Sequence, residues 1–136
     1  MIDKEFVPNE EALALKELGF DEPCLKFYAK GKLILALDAE EGDTNNKLNW
    51  YNPLYISAPT FSQAFRWFRE KYGISTYVSP LEDGSGFYHM IYTNINVPYS
   101  NRICSLPEKW QKHEEAELAC LRKLIEIVKE KQNENR

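Results

Sequence analysis

The sequence predicts an α+β domain: two layers, with a mostly antiparallel sheet of about five strands and three helices on one face. Two observations lead there. Three segments carry apolar residues at helical spacing, around residues 10–18, 61–72 and 114–128. Five short runs alternate or concentrate apolar residues, and two pairs of them are joined by turns short enough that only antiparallel pairing can close them. The 136 residues suit a single domain covering 1–136, long enough to bury a core.

The first helix should run from Glu10 to Leu18. Asn9 can cap it, Glu10 and Glu11 suit the positive end of its dipole, and Gly19 can end it so that Phe20 folds back on Leu15. Leu25–Ala29 and Leu33–Leu37 follow, joined at Lys30-Gly31. Leu25, Phe27 and Ala29 alternate, as do Leu33, Leu35 and Leu37, so both runs should be half-buried strands of one hairpin. The polar stretch Asp38–Asn49 predicts a mobile loop, and Leu54–Ser57 a short strand between prolines.

The second helix has the clearest pattern. Thr60 and Gln63 form a capping box; Phe61, Ala64, Phe65, Phe68 and Tyr72 share one stripe, with Phe65 and Phe68 expected in the core. Gly73 should stop it, with Ile74 packing back on Phe68. Ile74–Ser79 and Phe87–Ile95 then read as antiparallel strands around the turn Glu82–Gly86. The latter strand sets Phe87, Ile91 and Ile95 on one side and Tyr88, Met90 and Tyr92 on the other. The last helix packs Ala116, Cys120, Leu121, Leu124, Ile127 and Val128. Its start lies either at a Ser105/Glu108 capping box or near Glu114, and its tail should fray after Lys129.

Composition narrows the function. A formal charge of −4 and a pI near 5.3 argue against non-specific nucleic-acid binding, which needs a basic footprint. Cys24, Cys104 and Cys120 are odd in number and widely spaced, the pattern of reduced thiols rather than of disulfides or a zinc knuckle. No secretory h-region and no apolar run of spanning length occurs, so the expectation is a cytoplasmic chain with no membrane partner.

Several constellations invite chemistry. His113 and Glu117, four apart on a helix, could make an acid/base or metal pair; a solvated helix end explains them as well. Arg66-Trp67-Phe68-Arg69 mixes cations with aromatics as single-strand binders do, but one such helix in an acidic chain makes no basic groove. Asp38, Glu40, Glu41 and Asp43 do not fit the EF-hand spacing. Gly84-Ser85-Gly86 leads into a strand, where a phosphate cradle needs a helix. Cys24, Cys104, His89 and His113 offer zinc donor types with no C-x-x-C nucleus. No nucleophile elbow, Walker loop or zincin motif is present, so no metal and no cofactor is expected.

EALALKELGFDEPC (11–24), APTFSQAFRWFREKYGI (58–74) and HEEAELACLRKLIEIVK (113–129) together resemble small proteins of phages, prophages and mobile elements of Bacteroides-type bacteria, a group with no known activity. The resemblance covers about a third of the chain and implies an accessory role in a bacterial cytoplasm.

The function expected is therefore non-enzymatic: binding of a macromolecular partner, a protein rather than a nucleic acid, or a second copy as a homodimer. The surface expected to do it is Tyr77, Tyr88 and Tyr92, flanked by Trp67, Arg66 and Arg69. One alternative is a small-ligand site on the aromatic sheet face. The other is a hydrolase or nuclease built on His113 and Glu117.

Overall fold

A computed structural model describes residues 2–93 and 102–134. They confirm the α+β class but not the single sheet. Four α-helices accompany two separate three-stranded antiparallel sheets, ordered β2-β1-β3 and β4-β5-β6. The chain falls into two compact units, Met1–Gln63 and Ala64–Arg136.

In the first unit, α1 spans Asn9–Glu17. Asn9 lies inside the helix and Pro8 occupies the cap, without a side-chain bond, so the expected asparagine cap is corrected. Proline suits this place because its missing N–H and fixed φ cost nothing there. The stop is as expected: Gly19 takes φ 98°, and the Phe20 N–H donates to the Leu15 carbonyl at 3.0 Å. β1 (Lys26–Ala29) and β2 (Lys32–Leu35) form the hairpin, with Lys30 and Gly31 both at positive φ. Its burial differs from the alternating expectation. Phe27 and Tyr28 are both buried in β1, whereas Leu25, Leu35 and Leu37 are exposed. The reason is position: β1 is central and β2 is an edge strand.

Residues 38–49 hold hydrogen-bonded turns and the start of a helix rather than one long loop. Asp38 Oδ1 accepts the N–H groups of Glu40 and Glu41, both at 3.1 Å. Gly42, at φ 82°, presses on the Cys24 backbone so closely that a Cβ would lie 2.8 Å from its carbonyl oxygen. Asp43 is buried; it accepts from the Leu37 N–H at 2.6 Å and faces the Lys47 ammonium at 3.2 Å. Thr44 then caps α2 (Asn45–Tyr51), its hydroxyl accepting from the Lys47 N–H at 3.1 Å. β3 (Ile56–Ala58), fully buried, pairs with β1, and α1 and α2 pack against it.

The helix α3 covers Phe61–Tyr72 and begins as expected, with the Gln63 N–H donating to Thr60 Oγ1. The Gln63 side chain does not complete the capping box. Its amide donates to the Pro23 carbonyl at 2.9 Å instead. Gly73 ends the helix at φ 69°, and the Ile74 N–H reaches the Phe68 carbonyl.

In the second unit, β4 (Ser75–Pro80) pairs with β5 (Phe87–Tyr92), and β5 with β6 (Arg102–Cys104). The expected continuation of β5 to Ile95 lies outside the described residues. The helix α4 (His113–Glu134) packs on β4 and β5 through Ala116, Cys120, Leu121, Leu124, Ile125 and Val128. Ile125 takes the buried place expected of Ile127. The helix starts at His113, and it continues past Lys129 to Glu134. Ser105 caps no helix: its hydroxyl accepts the His89 N–H at 3.0 Å and so ties β6 to β5.

Candidate functional site

The register of β4 and β5 sets Tyr77 opposite Met90, which puts the Tyr88 and Tyr92 side chains on its two diagonals. The three rings meet: Tyr77 lies 6.2 Å from Tyr88 and 5.9 Å from Tyr92, centroid to centroid. Hydrogen bonding to the Tyr92 hydroxyl, and then to that of Tyr88, raises the Tyr77 phenol above its ordinary pKa. Tyr77 is 40% exposed and its two neighbours are half-buried. Period two carries the same face across β6, where Arg102 and Cys104 stand opposite Tyr92 and Met90. The Arg102 guanidinium lies 5.8 Å from the Tyr92 ring centre, and the Cys104 thiol is free and exposed.

Of the other site residues expected on this face, one is buried and two are exposed on α3. Trp67, expected at its rim, is buried with its ring edge-on to Phe68 and Tyr72. Phe65, expected in the core, is half-buried. The stripe of α3 is turned by part of a residue step from the one expected, so that the larger indole goes inside. Arg66 and Arg69 are exposed on α3. In the first turn of α4, His113 Nδ1 lies 3.3 Å from Glu117 Oε1, with His113 exposed and Glu117 half-buried. Among the described residues, no three His, Cys, Asp or Glu side chains stand close enough to hold a metal ion.

Sequence reasoning missed a second feature, on the opposite face of the β4-β5-β6 sheet. His89, 4% exposed, stacks on Trp110 with ring centres 5.3 Å apart and planes 19° from parallel. Among the described residues its Nδ1 has no hydrogen-bond partner, and burial lowers its pKa, with Glu108 pulling it up and Lys123 down. Trp110 is held by paired backbone bonds to Phe87 and by the absence of a side chain at Gly86, where a Cβ would come within 2.5 Å of the Trp110 carbonyl oxygen. His89 and Trp110 line a cleft of about 530 Å³ with Ser105, Glu108, Arg122 and Lys123. The local sequence gave one usable signal, the phase of β5: His89 shares its side with Ile91, which faces α4.

Large exposed apolar side chains also gather in the first unit. Trp50 at 89%, Leu54 at 79% and Tyr51 at 63% are the most exposed. Comparison with protein families, with curated proteins and with solved structures finds no match.

Proposed function

We propose that this chain is a non-enzymatic accessory protein of a phage or mobile element that binds a protein partner through the tyrosine face of the β4-β5-β6 sheet. One observation carries the reading. Tyr77, Tyr88 and Tyr92 form a contiguous, solvent-accessible cluster on the face that α4 leaves uncovered. Tyrosines combine a large rigid contact area with a polar tip, and they are enriched at protein interfaces for that reason. Arg102 adds a cation at the rim, a residue type equally favoured there. The test is affinity capture from host lysate with the wild-type chain and with Tyr88→Ser/Tyr92→Ser. The double variant should lose the captured protein while its thermal midpoint stays within a few degrees. Retention of the same protein by the folded variant would overturn the reading.

The cleft at His89 favours a second reading, binding of a small ligand. It predicts saturable chemical-shift changes at Trp110 and Lys123 when metabolite mixtures are titrated, with none at Tyr88. The hydrolase or nuclease reading draws no support from His113 and Glu117, which do not line the cleft.

A further inference from the structure

We infer that the cleft at His89 holds a free α-amino acid with an aromatic side chain, its carboxylate at Arg122 and Lys123 and its ammonium at Glu108. This rests on the small-ligand reading of the cleft and names the class of ligand.

Two segments build the cleft. Ala119, Arg122, Lys123 and Glu126 fall at helical spacing on one strip of α4. The other wall runs from Ile103 in β6 through Ser105 and Glu108 to Trp110. Ile103 pairs with Ile91, and His89 shares the side of Ile91, so both belong to the sheet face that packs on α4. Hydrogen bonds fix this second wall before any ligand arrives. The Ser105 hydroxyl accepts the His89 N–H at 3.0 Å, and the Glu108 N–H donates to the Ser105 carbonyl at 2.9 Å.

The charges of the lining choose the ligand. Arg122 and Lys123 are matched by Glu108 and Glu126, and burial keeps His89 neutral, so the lining carries no net charge near neutrality. A simple anion would meet two carboxylates, and a simple amine two cations. A zwitterion satisfies both signs. Lys123 and Glu108 act on the same His89 ring in opposite senses, so a cation and an acid both lie within electrostatic reach of it. The Lys123 ammonium lies 3.3 Å from Glu126, but such a surface pair is worth little, and a ligand carboxylate can displace the acid. The Arg122 guanidinium suits a carboxylate because it can donate two parallel bonds. His89 adds a neutral donor. Its Nδ1 is sealed and bare among the described residues, so the ring proton belongs on Nε2, since a buried N–H without an acceptor is costlier than a bare lone pair. The indole of Trp110, with Ile103 and Ala119, supplies the apolar part of the lining, which fits a flat ring better than a polar side chain.

Isothermal titration calorimetry with three probes tests this: L-phenylalanine, hydrocinnamate, which lacks the ammonium, and phenethylamine, which lacks the carboxylate. Phenylalanine should bind at one site, and each truncated probe about tenfold more weakly. Glu108→Gln should weaken phenylalanine about tenfold and leave hydrocinnamate unchanged. Arg122→Gln should weaken phenylalanine to a similar degree and leave phenethylamine unchanged. Both residues are exposed, so neither variant endangers the fold. Tyr88→Ser/Tyr92→Ser should leave all three probes unaffected. A truncated probe that binds as tightly as phenylalanine overturns the inference, and so does phenylalanine binding lost only in the tyrosine variant. If the cleft takes up another metabolite but not phenylalanine, the amino-acid class falls and the small-ligand reading stands. If no compound shifts Trp110, both fall.

Discussion

His89 is buried, with one ring nitrogen unpaired among the described residues, and its depressed pKa ties stability to pH. The unfolded chain takes up a proton near pH 6.5, where the folded chain does not. The unfolded state therefore binds more protons as the solution is acidified. The stability His89 contributes is complete above that pH and falls as pH drops below it. Melting temperatures at pH 7.5 and 5.5 should show the decline, and His89→Gln should flatten it. The cysteines divide on the same physical ground. Burial pushes the Cys24 and Cys120 thiols up to about 12, so each is both shielded and protonated near neutrality. Cys104 is exposed. Iodoacetamide should modify Cys104 alone in the native chain and all three in denaturant, read by peptide mass spectrometry. Because Cys104 stands on the tyrosine face, its labelling rate should also drop when a partner docks there.

At the scale of elements, α3 allows the sharpest comparison. Phe68 is fully buried and Phe65 only half, so Phe68→Ala should cost about 3–5 kcal/mol and Phe65→Ala clearly less. Urea unfolding of both variants checks the order. That order could not be read from the spacing, since Phe65 and Trp67 flank Ala64 and Phe68 on opposite sides and either could be turned inward. Helix ends were more legible. Gly19 and Gly73 stop α1 and α3 as their sequences predict, because the left-handed turn is a local requirement met by a local residue. The helix α2 was not legible. Its seven residues include three asparagines, and what stabilises it is distant: Asn45 Nδ2 donates to the Phe20 carbonyl at 2.8 Å, and the Ser57 N–H donates to Asn45 Oδ1 at 2.8 Å. The tyrosine face was legible because β5 keeps period two. The cleft on the opposite face was not, because Trp110 reaches His89 through a backbone bridge to Phe87 that no spacing announces.

At the scale of the whole chain, the expected single sheet divides into two because β3 pairs with β1 and β4 begins a new ladder with β5. Strand partners are chosen by tertiary packing, and the alternation of a strand says only that it has a buried side. Two sheets mean two central strands, β1 and β5, and this has a consequence for exchange of backbone amides with deuterated water. A central strand bonds on both edges, so successive amides are protected, whereas an edge strand protects every second one. Two islands of slow exchange should appear, one over Lys26–Tyr28 and one over Met90–Tyr92. Along β2 and the residue after it the pattern should be a comb: Ile34 and Ala36 slow, Leu33 and Leu35 fast.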